Sequence, residues 1–176
     1  MLRARAALWQ EYLRLHKVVI AVVRRDELCQ RFMHIPGVGP ISALAFKTAV
    51  DDPRRFRHSK TVGAYFGLTS RRWQSGTSID VQGHISRAGD GEVRHPLYEA
   101  ANIMLIRYSG FSSLKAWGLK IAKKRGHKRA CVAVARKLAV IMHAMWRDGT
   151  EFRFKRSDAP VAGVVKGYPR IEGVAA

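Results

Sequence analysis

Apolar positions fall at helical spacing over most of the chain. Residues from Leu2 to Met33 carry helix formers and few breakers, with Leu8, Leu15, Val22 and Cys29 on a seven-residue repeat. Such a repeat predicts a helical arm that packs against another helix. Within the arm, Val18 to Val23 is apolar all round and by composition alone could be a short buried strand. The polar helix formers on both sides and the absence of turn residues favour a helix. Ser59 is placed to cap a short helix from Lys60 to Tyr65, with Val62, Tyr65 and Phe66 on its buried face and Gly67 at its end. Val93, Leu97, Ala101, Met104, Leu105 and Tyr108 recur at three and four residues and predict a core-facing helix stripe. Ser112 or Ser113 caps the next helix, from about Leu114 to Arg125. After Gly126 a long helix runs to about Arg147, with Cys131, Val134, Leu138, Ile141, Met142 and Met145 on one side. Arg71 to Ser86 reads differently: Trp73, Ile79, Val81 and Ile85 alternate with polar residues around glycines 76 and 83. A short β-hairpin or extended loop is expected there. The tail from Ser157, punctuated by Pro160, Gly163, Gly167, Pro169 and Gly173, has no apolar periodicity and is expected to be loose.

Between the arm and the next helical stretch stands His34-Ile35-Pro36-Gly37-Val38-Gly39-Pro40-Ile41-Ser42-Ala43-Leu44-Ala45. A Pro-Gly-hydrophobic-Gly turn between two helices, followed by small Ala43 and Ala45, resembles the helix-hairpin-helix motif of nucleic-acid-binding proteins. In that motif glycines let the backbone approach a phosphate, and amides at the start of the second helix donate to it. Gly37 and Gly39 are the candidate contacts. The plainer alternative, a glycine-capped helix turn, needs only one glycine. The expected fold is therefore mainly α: a helical domain containing a helix-hairpin-helix, with a hairpin or extended loop around residues 71–86 and an N-terminal helical arm. Asp51-Asp52-Pro53 makes a turn in which the carboxylates cap rather than hold metal.

Charge narrows the partners. With 176 residues the chain can fill one core, or a core and an arm, and 47% hydrophobic against 26% charged residues is a folding composition. An excess of 32 Lys+Arg over 13 Asp+Glu gives a formal net charge of +19, which repels itself unless a polyanion is bound. Nucleic acid is the expected partner. A membrane is not, because no stretch approaches the ~20 apolar residues of a spanning helix; a cytoplasmic, nucleoid-associated protein is expected. Arg129, Arg136 and His143 repeat every seven residues and are read as a basic stripe, while Lys120, Lys123, Lys124 and Arg125 gather at a helix C-terminus where cations suit the dipole. Cys29 and Cys131 are expected to be buried free thiols. None of the seven histidines pairs with a cysteine or another histidine at ligand spacing, so no metal site is expected in this chain.

The candidate chemistry lies between Thr69 and Arg94. Ser75 stands beside Gly76, with Arg71, Arg72, Arg87 and Arg94 near in sequence. Attack on a phosphodiester needs a hydroxyl and fixed cationic donors for the developing charge, and a guanidinium forks onto two phosphate oxygens. Ser-Gly is also a common turn dipeptide, and a basic loop binds nucleic acid without chemistry.

Taken in order, Ile35-Pro-Gly-Val-Gly-Pro40, Asp52-Pro-Arg-Arg-Phe56, Ala64-Tyr-Phe-Gly-Leu68, Gln74-Ser-Gly76, Gly83-His-Ile-Ser-Arg87 and Gly89-Asp90 resemble the C-terminal domain of transposases of the insertion sequence one-ten family, grouped with one-sixteen and nine-oh-two. The likeness runs from about Met33 to Phe152. It implies a DNA recombinase whose C-terminal domain supplies a nucleophilic serine, guided in some relatives by a structured RNA. By position that serine is Ser75; family members often have two serines before the glycine, and here the first is Gln74. The resemblance also implies an N-terminal RNase H-like domain whose Asp-Glu-Asp-Asp set holds divalent metal, expected to be Mg. No such domain fits before Met33, so a truncated or split transposase with no cofactor of its own is expected. The division that follows is an arm (1–33) for oligomerisation, the transposase domain (34–152) and the tail (153–176). Expected partners are DNA, a guide RNA, and either a second copy or a full-length transposase. The DNA contacts would be Gly37, Gly39, Arg71, Arg72, Gly76, Arg87, Arg94, Arg129 and Arg136. The alternatives are a non-catalytic helix-hairpin-helix module and a subunit that only associates with a full-length transposase.

Overall fold

The computed structural model describes residues 2–75 and 79–155, with side chains at all of these except 72–75 and 79–82. The chain is mainly helical. Its elements are α1 (Leu2–Arg25), α2 (Glu27–Met33), α3 (Pro40–Val50), α4 (Val62–Tyr65), β1 (Ser70–Ser75), β2 (Ile79–Ile85), α5 (Gly91–Ile106), α6 (Ser113–Arg125) and α7 (His127–Asp148). Short 3-10 turns occupy Pro53–Arg55 and Ser59–Thr61.

α7 is the axis. Ala130, Cys131, Val134, Ala135, Leu138, Ala139, Met142 and Met145 are buried along it, and α5 and α6 lie against it on most of their length. That arrangement follows from apolar residues three and four apart, which form a single stripe only on a helix. Gly118 of α6 makes the approach close, since a Cβ there would lie 2.6 Å from Val134 Cγ2 and 2.8 Å from Leu105 Cδ2. α3 packs on α5, and Phe46 of α3 stands between Phe32 of α2 and Phe66, with ring centroids 5.5 and 5.7 Å away. All three rings are fully buried, so truncating Phe46 to alanine should cost about 3–5 kcal/mol.

Several local expectations are corrected. The N-terminal helix is divided at Asp26, whose extended backbone and side chain cap α2 through the amide of Cys29 at 2.9 Å. Asp is a better cap than helix interior. The seven-residue repeat divides with it: Leu8, Leu15 and Val22 are exposed on α1, while Cys29 is in the core. Val18 and Val22 also face outwards, and of α1 only Val23 is buried, at 1% exposure.

Ser59 does not cap. His58 takes that position, and the Ser59 hydroxyl lies 2.9 Å from Nδ1 of His143. His143 is not part of a basic stripe; it is fully buried, with Nε2 donating to the Pro53 carbonyl at 2.9 Å and its ring edge-on to Phe56. Tyr65 is exposed rather than buried, and Tyr108 falls beyond the end of α5. Ser112 occupies the cap position of α6, but its hydroxyl makes no capping bond. Among the described residues no helix is long and apolar enough to cross a membrane.

Candidate nucleic-acid interface

The two strands pair antiparallel from Ser70 opposite Ile85 to Ser75 opposite Ile79, with an irregularity between Ser70 and Arg72. Ser75 is thus the last residue of β1, at the end of the ribbon farthest from the helical core. Gly76 and Ser78 lie outside the described residues, as do the side chains of Arg72 and Ser75. The near end of the ribbon is anchored. The Ser86 amide donates to the Thr69 carbonyl at 2.8 Å and the Arg87 amide to the Gly67 carbonyl at 3.2 Å. Arg71 Nη2 donates to the Ser86 carbonyl at 3.0 Å.

Beneath this anchor two turns cross. A Cβ on Gly67 would run into the carbonyl of Ala88, and one on Gly89 into the carbonyl of Tyr65; both glycines have positive φ, at 67° and 97°. Contact this close brings three carbonyls together, and a cation meets them. Arg94, on the first turns of α5, has Nη1 3.3 Å from the oxygens of Phe66, Arg87 and Gly89. A guanidinium suits this work because its several N–H groups are held in a fixed plane. Arg94 is therefore a clamp on the ribbon's root, a role its position in sequence does not reveal. Arg87, at φ 53°, is exposed beside it.

The turn between α2 and α3 shows how its two glycines differ. Gly37 is turned to α5, where a Cβ would collide with the Ala100 carbonyl. Gly39 has open space at that position and precedes α3, whose first residue is Pro40. Ala43 donates to the Gly39 carbonyl at 2.9 Å, and the amides of Ile41 and Ser42 stand at the helix N-terminus where an anion would be received.

Cations fall into three groups by what they touch. Arg71 and Arg94 are bound to carbonyls. Others are bound to carboxylates: Lys47 to Asp26, Arg54 to Asp52, Arg147 to Asp148, and Arg31 to Glu151, whose other oxygen lies 2.9 Å from the His34 ring. Burial opposes ionisation of Asp26, but the Lys47 ammonium and the Cys29 amide outweigh it and hold the carboxyl below its usual range. Lys120, Lys123, Lys124, Arg125, Lys128 and Arg129 have no acidic partner among the described residues. Arg136 is exposed too, its stem lying across Gly63, where a Cβ would be 2.8 Å from Cγ.

Other nucleophiles are poorly placed. Burial, then the neighbouring Asp26 charge, pushes the Cys29 thiol up to about 12, and burial also raises that of Cys131. Both are buried free thiols, Cys131 with its Sγ 3.2 Å from Nε2 of His127 one helical turn away, and with both raised neither supplies a ready thiolate. Among the described residues no three His, Cys, Asp or Glu side chains gather as a metal-binding group.

Residues 29–116 match the model of the transposase IS116/IS110/IS902 family. The chain is 36% identical over 126 residues to the transposase for insertion sequence element IS1111A of Coxiella burnetii, which is 71% of this chain and 34% of that protein. It is 33% identical over 129 residues to the transposase for insertion sequence element IS1328 of Yersinia enterocolitica, covering 72% of this chain and 38% of the relative. A pilin gene-inverting protein of Moraxella bovis is 32% identical over 121 residues, 67% of this chain and 36% of its own length. The chain thus spans about a third of the length of the curated relatives it matches. With its helical core, two-stranded ribbon and matched segment, the chain belongs to the IS116/IS110/IS902 family of insertion-sequence transposases.

Proposed function

We propose that this chain is the serine-bearing part of a DNA recombinase, with Ser75 as nucleophile. The observation that carries the reading is the anchored ribbon: Ser75 closes the strand farthest from a root fastened by Arg71, Arg94 and two interlocked glycine turns. A relative called a transposase and another called a gene-inverting protein share this segment, and both names imply DNA strands broken and rejoined.

In the proposed step the Ser75 hydroxyl attacks a phosphorus of the DNA backbone. A serine–phosphate ester forms, and the strand's own oxygen leaves with a proton as a hydroxyl. Attack on that ester by the hydroxyl of another strand restores a phosphodiester and the free serine, so no external energy is needed. Arg72, on the same strand, is the candidate to offset charge on the phosphate, because Arg71 and Arg94 already hold carbonyls and Arg87 stands at the root, the opposite end of the ribbon from Ser75. No histidine or carboxylate lies within a few residues of Ser75 except Asp80 on the paired strand. Divalent metal, expected as Mg, is assigned to residues outside this segment: among the described residues no donor set fits it, and Asp26 is committed to its cap and Lys47.

DNA is held by its backbone at the helix-hairpin-helix, through Gly39 and the start of α3, and on the exposed Arg129 and Arg136 of α7. A guide RNA shares this basic surface. α1 supports self-association or pairing with a longer transposase, since Leu8, Trp9, Tyr12, Leu15 and Val22 lie exposed along it. Deleting residues 2–24 should leave a monomer by light scattering, and an intact chain already monomeric would remove that part.

The test of the serine uses the chain together with a full-length relative, guide RNA, DNA and Mg. A denaturation-resistant protein–DNA adduct should form, vanish in Ser75→Ala with binding retained, and persist in Ser78→Ala. An adduct that survives Ser75→Ala, or maps by mass spectrometry to another side chain, overturns the assignment.

A further inference from the structure

We infer that the corner where α6 meets α7 binds an unpaired nucleic-acid strand, with a base stacked on Trp117 and the backbone held by the surrounding lysines. The inference rests on the nucleic-acid reading above and adds a class of substrate and a site to it.

The first observation is electrostatic. Lys123, Lys124 and Arg125 end α6, where cations are favoured by the helix dipole. α7 begins two residues later with His127, Lys128 and Arg129 and has no acidic residue in its first turn. Cations at a helix N-terminus are opposed by the dipole, so the second cluster has no such explanation. Between Glu99 and Asp148 the sequence contains no acidic residue at all, and no acidic side chain from elsewhere among the described residues pairs with these cations. Repulsion gathered on one corner without internal relief is relieved by a polyanion.

The second observation is the aromatic residue in its midst. Trp117 is 37% exposed, and the Lys137 ammonium of α7 lies 5.5 Å from its ring centroid. An open groove of about 290 Å³ beside the ring is lined by Trp117, Lys120, Ile121, Lys123, Lys124 and Arg125. Lysines alone fit any phosphate backbone. A ring set among them fits a strand whose base faces are free, because in a duplex those faces are covered by neighbouring pairs. A recombinase creates such strands whenever it opens a junction, and a structured RNA presents them in its loops.

The experiment measures binding of the intact chain to three probes at one salt concentration: a 15-nucleotide oligothymidylate, an abasic strand of equal length, and a 15-base-pair duplex. The oligothymidylate should be preferred over the abasic strand by about tenfold. That preference should disappear in Trp117→Ala, largely survive in Trp117→Phe, and leave duplex affinity unchanged in both. A preference that persists in Trp117→Ala, or an equal loss on duplex and single strand, overturns the inference while leaving the broader reading intact. Absence of salt-sensitive binding to every probe would instead overturn the nucleic-acid reading itself.

Discussion

The arginines at the ribbon's root and the cations at the α6–α7 corner look alike in the sequence and differ in what they hold. Arg94 meets three carbonyl oxygens that two crossing turns force together, so its charge is consumed by the protein's own backbone. Lys124 and Arg129 have no acidic partner among the described residues and face solvent. A formal charge of +19 therefore overstates what is available to a ligand and misplaces where it is available. The root is built for rigidity, the corner for capture.

The largest expected effect breaks the crossing itself. Gly67→Ala places a methyl group against the Ala88 carbonyl at a backbone φ of 67°, and should cost about 3 kcal/mol or more in urea denaturation. Arg94→Ala comes next, at about 2–3 kcal/mol, because three carbonyls lose a charged donor; Arg94→Lys should recover only part, since an ammonium lacks the planar fork. If Arg94→Ala instead leaves stability unchanged and weakens DNA binding, the comparison fails, for the side chain would then belong with the capturing cations.

Lys47 is the intermediate case, a cation held by a carboxylate. The Asp26 carboxyl is held below its usual range, so its contribution is present above the unfolded value near 3.9 and is lost as pH falls through the lower folded value. Asp26→Asn should cost about 1 kcal/mol at neutral pH, and the gap from the parent chain should close below about pH 4. A gap that widens in acid would contradict the ion pair. The smallest stability effect belongs to the corner: Lys124→Ala and Arg129→Ala should each stay within about 0.5 kcal/mol. Each phosphate contact they lose should lower the slope of log affinity against log salt by about 1.

Much of the helical core was legible because spacing alone determines a helix face, as with Val93, Leu97 and Met104 on α5 or Val134, Leu138 and Met142 on α7. Where spacing misled, the reasons are geometric. Arg129, Arg136 and His143 are seven apart, but a straight helix drifts ~20° per heptad, and at His143 the turns carrying Pro53, Phe56 and Ser59 cover the helix. A repeat through Leu8, Leu15, Val22 and Cys29 could not show that Asp26 would end one helix and start another. The ribbon was legible from its alternation, and the matched family agrees with the resemblance read from its motifs. Arg94's partners were not legible, because they come from turns about twenty residues apart that only the fold brings together. Gly37 and Gly39 were indistinguishable in sequence; packing on α5 separates them.

The break at Asp26 also has a mechanical side. α1 has 24 residues, which at 1.5 Å each makes a rod of about 36 Å, attached to the core at its C-terminal end through Val23 and the half-buried Val19. A rotation of about 10° at Asp26 would carry its Leu2 end through about 6 Å, the rise of one helical turn. The Asp26 carboxylate that fixes this angle also grips Lys47 of α3, the helix that follows the Gly37–Gly39 turn. Torque applied along the rod is thereby delivered to the same helix whose first amides are proposed to receive a phosphate.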